Sequence, residues 1–307
     1  MTLLHRKRVI KVALEVTKGT KVAGTQALLV EDLDIKPEAE FAARNGAGTH
    51  LGHGAPGTLS GFTGTCTFKV ELRGDGAGTG LEAGIAILLQ AGGLKDATGY
   101  KPCSVVADQK TLSIDVWEDG KKKGLAGAMG ALKIEGESGK KVYLTCEFKG
   151  LWQAPVAEAL PAFAPSTTTP LRLAGGTFTI DADPKKISKF ELDFGAQVVA
   201  QPDPNDGGRA TGYKTGISSF IITDFDPTLS FDPEAELPSA YDLEGIWAAE
   251  TEFAVALSLT DGTDTVTITV PKAQYKEVPE GEREGITVHE VTCQCNNDKG
   301  DDAFSIA

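Results

Sequence analysis

The sequence predicts an all-β protein, β-dominated with one short helix per half, folded as two tandem antiparallel β-sandwich or barrel domains. Short runs that alternate apolar and polar residues recur along the chain. Glycine and proline, 36 and 15 copies in 307 residues, separate these runs as turn residues do. The same order of predicted elements occurs twice, although the two halves share little sequence identity. Strands alternating with longer helices, the pattern of a parallel sheet, are absent from the sequence.

The first half contains the clearest strand. Residues 65–73 alternate strictly between apolar and polar side chains, and residues 112–116 and 142–148 do so over shorter runs. Residues 81–92 place leucine and isoleucine at helical spacing and predict a helix of about three turns. Residues 42–61, rich in Gly, Ala, Thr and His, predict a long loop, which inside a compact domain is often functional.

The second half repeats this order of strands, helix and Asp-Gly turn. Asp119-Gly120 and Asp261-Gly262 each separate two strand patterns and predict hairpin turns. A helix is predicted near residues 239–250. The predicted strands lie near residues 187–194, 213–222, 227–231, 253–260, 264–270 and 286–295.

Proline and composition divide the chain into segments. Residues 151–176 contain four prolines and a Ser/Thr run, which is typical of a linker. The first 20 residues mix basic and apolar side chains and predict a mobile arm or an added edge strand. The predicted division is 1–20 N-terminal arm, 21–150 first β domain, 151–176 linker, 177–295 second β domain and 296–307 C-terminal tail.

Charge is divided unevenly between the halves. Residues 1–150 carry 20 Lys and Arg against 17 Asp and Glu, whereas residues 151–307 carry 10 against 26. The second half is therefore a poor candidate for gripping nucleic acid, since phosphate binding depends on Lys and Arg. No signal-peptide core or run of about 20 apolar residues is found, which predicts a soluble protein made in the cytosol. Five widely spread cysteines are expected to be free thiols.

The motifs that resemble catalytic or ligand sites are all incomplete. Residues 74–80, Gly-Asp-Gly-Ala-Gly-Thr-Gly, resemble a dinucleotide-binding loop but place Thr79 where the third glycine belongs. His50 and His53 lack further metal ligands, and the acidic residues 296–302 lack the spacing of a calcium loop. Cys293 and Cys295 are expected to pack in a strand. The sequence therefore predicts no enzyme, no cofactor and no metal.

Several short segments occur in an order that resembles one known family. Residues 212–216 (Gly-Tyr-Lys-Thr-Gly) and 226–235 (Asp-Pro-Thr-Leu-Ser-Phe-Asp-Pro-Glu-Ala) look like tail tube (major tail) proteins of long-tailed bacteriophages. Residues 189–195 and 265–274, and the Phe-Lys-Gly at 148–150 before the proline-rich linker, are similar to that family as well. The likeness spans most of residues 20–295 and depends on the order of the segments.

This resemblance implies a structural virion protein that self-assembles into stacked rings around a DNA channel. A doubled chain implies a ring of three chains with hexameric pseudo-symmetry, and six chains per ring is the alternative. The implied partners are further copies, the tail tip, tape-measure and tail terminator proteins, and genomic DNA that passes the lumen without specific binding. The implied location is the virion tail, after synthesis in the host bacterial cytoplasm, with no membrane partner.

Flexible segments that become ordered on stacking are the candidates for ring-to-ring contacts. The alternative function is a tandem β-sandwich binding module that recognises a glycan or a protein surface through its loops. The candidate assembly contacts are Arg44, Asn45, His50, His53, Arg6, Arg8, Asp301 and Asp302.

Overall fold

The computed structural model describes residue 4, residues 6–46, 55–78, 80–164 and 166–205, residue 213 and residues 215–307. Strands account for 57% of the structure and helices for 5%, which confirms the all-β prediction. The first half contains β1 (Arg8–Leu14), β2 (Gln26–Leu28), β3 (Val30–Ala42), β4 (Thr58–Glu71), α1 (Ala83–Ala91), β5 (Leu94–Ala97), β6 (Gly99–Pro102), β7 (Leu112–Glu118), β8 (Lys121–Glu137) and β9 (Tyr143–Ala157).

The second half is built from shorter strands and one short helix. Its helix begins at Leu243, where the Asp242 side chain accepts a hydrogen bond from the Gly245 backbone N–H and caps the first turn. The elements are β10 (Arg172–Ile180), β11 (Asp183–Pro184), β12 (Lys189–Asp193), β13 (Ala196–Pro202), β14 (Ile217–Phe225), β15 (Thr228–Phe231), α2 (Leu243–Ala248), β16 (Phe253–Thr260), β17 (Thr265–Glu277), β18 (Glu280–Arg283), β19 (Ile286–His289), β20 (Val291–Asn296) and β21 (Ser305–Ile306).

The two halves have the same strand order. In the first half, antiparallel neighbours follow the order β2-β1-β7-β8-β9-β4-β3. In the second half they follow β11-β10-β16-β17-β20-β15-β12. Along the chain, each helix comes between corresponding strands: α1 follows β4 and precedes β7, and α2 follows β15 and precedes β16. The repeat predicted from the sequence is therefore a repeat of topology.

One strand pair joins the halves into a single sheet. Strand β8 pairs with β7 over its first part, and its last part, Lys133 to Glu137, pairs with β12 of the second half. Pairing two edges in this way satisfies backbone groups that each half alone would leave open. The buried side chains form one large cluster that draws on both halves, from Ile10 to Ile306.

The structure corrects several predicted segment boundaries. The loop predicted over 42–61 is shorter, because β3 continues to Ala42 and β4 begins at Thr58. The N-terminal segment forms β1, which is paired on both sides, by β2 and β7. Between the halves, the described residues 158–164 and 166–171 lie outside the strands. After the exposed turn 297–301, Phe304 and Ile306 are fully buried, because β21 pairs with β17 and β6.

Candidate functional site

Seven neighbouring strands from both halves present one polar face. The strands β4, β9, β8, β12, β15, β20 and β17 follow one another in this order. Side chains on successive strand residues point to opposite faces, and on these strands one set is buried. Phe68, Cys146, Ile134, Leu192 and Cys293 belong to the buried set. The opposite face is a polar surface that is continuous across these seven strands.

The polar face consists of two rows of residues that lie opposite one another across the strands. The rows cross the junction between the halves without a break in register. The first row holds Lys69, Thr145, Lys133, Asp193, Thr228, Gln294 and Gln274. The second row holds Glu71, Tyr143, Glu135, Glu191, Ser230, Thr292 and Glu277.

Both lysines of these rows are paired with carboxylates. The Lys69 Nζ lies 2.7 Å from Glu135 Oε1, and the Lys133 Nζ lies 2.8 Å from Glu191 Oε1. Burial acts to raise the pKa of the Glu135 carboxyl, but the hydrogen bond and the charge of Lys69, together with Thr145 and Lys133, outweigh burial and leave that pKa below its usual value. The same hydrogen bond raises the pKa of Lys69. These pairs offset the repulsion between Glu135 and Glu191, which lie opposite each other at the junction.

The polar face is concave at the junction. A cleft of about 670 Å³ lies over the second row and is lined by residues of both halves, among them Tyr143, Glu191 and Thr292. The two rows together contain two lysines and five carboxylates. The lining of the cleft has four lysines, Lys69, Lys140, Lys141 and Lys189, against five glutamates, and each of these lysines is paired with a carboxylate. A concave surface whose lysines are already paired offers a polyanion few cations to bind.

The sheet has open edges beside this array, one on β3, which flanks β4, and one on the last part of β17. Strand β3 pairs only with β4, so its other edge has no strand partner in the described part of the chain. Strand β17 pairs with β16 as far as Ala273, and the following residues to Glu277 pair only with β20 among the described strands. Unpaired edges of this kind are templates for pairing with another chain.

A buried carboxylate fixes the strand that joins the halves. Asp232 accepts hydrogen bonds from the backbone N–H groups of Ser188 and Lys189, at 2.8 and 2.9 Å, and from the Ser188 hydroxyl. Arg283 Nη1 donates to the same carboxylate at 2.8 Å. Burial acts to raise the pKa of Asp232, but these hydrogen bonds keep it below its usual value. Asp232 therefore positions the start of β12 beside the edge of β8.

The glycine-rich loop after β4 is also occupied by a carboxylate of the other half. The backbone N–H groups of Gly76 and Gly78 donate to Asp264 Oδ2 and Oδ1 at 2.9 and 2.7 Å. Both glycines have positive φ, 77° and 74°, a conformation that favours glycine. Asp264 is buried, and a Cβ at Gly74 would lie 2.2 Å from its side chain. The loop thus ties the two halves together and uses its N–H groups within the chain.

The structure holds some of the predicted contact residues in intrachain interactions. Arg8, in β1, donates to the Leu33 carbonyl through Nη1 and lies 2.9 Å from the Glu118 carboxylate through Nη2. Asp301 accepts hydrogen bonds from the backbone N–H and the hydroxyl of Ser104. Asp302 accepts hydrogen bonds from two backbone N–H groups of the preceding turn.

The other predicted contact residues lie at exposed places. Arg6 is exposed before β1, and Arg44 and Asn45 are exposed just after β3. His50 and His53 lie outside the described residues. The described ones among the predicted residues lie in separate segments, at the N-terminus, in β1, after β3 and in the turn at 301–302. The sequence did not predict the polar rows. The alternation along each strand was visible, but finding a face that both halves share requires knowing the register between β8 and β12.

The chain matches one family over nearly its whole length. The family model described as "Phage tail tube protein" matches residues 6–295. No curated protein sequence matches the chain significantly. In the described part of the chain, neither helix has the length and apolar character needed to cross a bilayer. All five cysteines are buried and free, as predicted, and burial raises the pKa of the Cys295 thiol to about 12. The chain belongs to the phage tail tube protein family.

Proposed function

We propose that copies of this chain assemble into stacked rings that form the wall of a phage tail tube around a DNA channel. The observation that carries the proposal is the polar face that runs unbroken over both halves and ends at open edges. Adding a second copy at an open edge extends the sheet and satisfies its backbone groups. The role is structural, with no catalytic step.

The concave polar face lines the channel in this proposal, and the buried face with α1 points outward. The two lysines in the rows of the polar face are paired with Glu135 and Glu191, and carboxylates outnumber lysines in these rows. Proteins bind double-stranded DNA by placing Lys and Arg on its phosphates. A lining that has paired lysines and more carboxylates than lysines therefore lets DNA pass without adhering.

The repeated topology favours three chains per ring, each supplying two similar halves, over six chains. The tail tip, tape-measure and tail terminator proteins are the further partners, and the chain is made in the host bacterial cytoplasm before it enters the virion tail. Ring-to-ring contacts involve Arg6, residues 43–57 and the turn 297–302. Normal tubes after deletion of 44–57 would contradict that part of the proposal.

Negative-stain electron microscopy of the purified protein tests the proposed function directly. The protein is imaged after concentration and after addition of a tail-tip initiator complex. Hollow tubes are expected, and the ring symmetry in class averages decides between three doubled chains and six. Discrete particles under both conditions would overturn the proposal and favour a tandem binding module.

A charge reversal tests which face lines the channel. Glu191→Lys places a lysine on the polar face, whereas Asp96→Lys makes the same change at an exposed position of β5. Assembled tubes are mixed with a short fluorescent DNA duplex at low salt and sedimented. Because an enclosed lysine contacts DNA from within the channel, Glu191→Lys tubes should retain DNA that nuclease cannot reach. DNA held equally and digested equally in both variants would contradict the assignment.

A further inference from the structure

The contact between the two halves includes a hairpin arm as well as a strand pair. Strands β13 and β14 form a hairpin that leaves the second half and covers the first. Phe220 and Ile222 of β14 pack with Met129 and Leu151 of the first half in a small buried cluster. The second half therefore holds the first by an edge strand, β12, and by this arm.

Polar contacts fix the same arm. The Gln109 side chain donates from Nε2 to the Ile222 carbonyl at 2.9 Å and accepts from the Ile222 N–H at 3.2 Å. The turn that ends α1 lies against the arm so closely that a Cβ at Gly93 would lie 2.6 Å from Ile222 Cδ1. The receiving surface of the first half thus consists of the middle of β8, part of β9 and the end of α1.

The first half has an arm at the corresponding place. Strands β3 and β4 continue past the sheet as a hairpin, in which Phe41 lies opposite Leu59. These two side chains are 64% and 56% exposed, and because they face each other across the hairpin they form one apolar patch. At the base of this arm Phe62 stacks on Tyr213 with ring centroids 4.5 Å apart. The outer residues of the arm, 38–42 and 58–60, are all exposed.

The second half has a receiving surface that is likewise uncovered. It consists of the free edge of β17 beyond Ala273 and the end of α2, where Trp247 is 45% exposed. These elements occupy the positions that β8 and α1 occupy in the first half. Gln274 Nε2 donates to the Glu250 carbonyl at 3.2 Å and so joins the end of α2 to β17.

We propose that the β3–β4 arm of one copy docks on the β17 edge and the end of α2 of a second copy. The edge of β3 then pairs with the free edge of β17, so that the contact between chains repeats the contact within the chain. This inference rests on the proposed function and adds which surfaces meet. In every such contact the first half of one chain meets the second half of another. The first half has a charge balance of +3 and the second half one of −16, so their attraction favours this pairing over contact between like halves. A head-to-tail contact of this kind closes into a ring when its rotation permits.

Two complementary variants test the inference. The arm variant combines Phe41→Asp and Leu59→Asp, and the acceptor variant is Trp247→Asp, with Trp247→Ala as a milder second version. Each is expected to remain monomeric where the unchanged protein assembles. An equal mixture is expected to form a one-to-one dimer, because one intact arm meets one intact acceptor. Mass photometry and sedimentation velocity measure both results.

The matched control changes two exposed apolar residues outside both the proposed contact and the segments assigned to ring-to-ring contacts. Val16→Asp with Val199→Asp, at side chains 97% and 40% exposed, is expected to assemble like the unchanged protein and to share its thermal unfolding midpoint with the arm variant. Assembly of the arm variant alone, or a mixture that stays monomeric, would overturn the inference. Failure of the unchanged protein to assemble under any condition would instead overturn the proposed function.

Discussion

Both halves of this protein extend a two-stranded arm from the same place in the same topology, yet only one arm is covered. Phe220 on the second arm is 5% exposed, whereas Phe41 on the first arm is 64% exposed. The covered arm has the first half beneath it, and the exposed arm has nothing beneath it in the described part of the chain. A duplicated chain can satisfy one of its repeated contacts internally, and the proposal above assigns the other to a further copy.

The largest expected effect comes from truncating the covered arm. Phe220→Ala should lower the free energy of unfolding by about 3–5 kcal/mol, because it removes a buried aromatic ring and leaves a cavity beside Met129. Phe41→Ala should change the free energy of unfolding of the unassembled protein by less than about 0.5 kcal/mol, because the Phe41 ring is exposed. Urea unfolding of both variants measures the difference. Equal losses would mean that the arms do not differ as the structure indicates.

The second prediction concerns the loop that ties the halves together. Asp264→Ala removes the acceptor of the Gly76 and Gly78 N–H groups and should cost about 1–3 kcal/mol. Asp75→Ala, in the exposed part of the same loop, is the control and should cost less. Hydrogen exchange at the two glycines, together with urea unfolding, measures the effect. Unchanged exchange in Asp264→Ala would contradict the role given to this carboxylate.

The third prediction is a loss of stability in acid to which both halves contribute. The carboxyls of Glu71, Glu135 and Asp232 have pKa values lowered from 4.5, 4.5 and 3.8. A carboxyl with a lowered folded pKa contributes stability that is present above its unfolded pKa and is lost as the pH falls through the folded pKa. The free energy of unfolding should therefore be level from about pH 7 to 5 and fall below about pH 4.5.

The contribution of each half to this acid dependence can be separated. Asp232→Asn removes the second-half contribution, and urea unfolding at a series of pH values should then give a shallower fall. Glu135→Gln should reduce the fall by a smaller amount, because this carboxyl is paired at a partly exposed face. An unchanged pH profile in Asp232→Asn would assign the whole effect to other carboxyls.

The smallest expected effect concerns the ion pair on the polar face. Lys69→Gln removes the partner of Glu135 and should cost about 0.2–1 kcal/mol, since partly exposed pairs contribute little. The loss should shrink further in high salt, which screens exposed charges. A loss above about 2 kcal/mol that salt leaves unchanged would mean that the face is less accessible to water than the structure indicates.

Much of the fold follows from local patterns. The alternation over 65–73 became part of β4, the helical spacing over 81–92 became α1, and the helix near 239–250 became α2. Errors arose where local composition hides pairing. Residues 42–61 were predicted as one long loop, whereas β3 continues to Ala42 and β4 begins at Thr58. An arm that stands away from the sheet has no core to bury, so these residues do not show the alternation that marks a half-buried strand.

The functional surface was predictable only in part. Alternation along each strand identified which side chains share a face, and Phe220 and Ile222 lie in the strand that was predicted near 213–222. The role of Asp264 was not predicted, because the turn at Asp261-Gly262 already accounted for an aspartate in this segment. Its partners, Gly76 and Gly78, are nearly 190 residues away in the chain, at separations of 188 and 186 residues.

By itself the sequence determined the all-β class, the doubled order of elements, the division of charge and the membership in a structural family, because periodicity, composition and motif order are local properties. The tertiary structure alone decided that β8 accepts β12, that two polar rows cross both halves, and that one arm is covered while the other stays exposed. Those features depend on which distant edges meet, and the free energy that selects them comes from burying side chains such as Met129 and Phe220 across the junction.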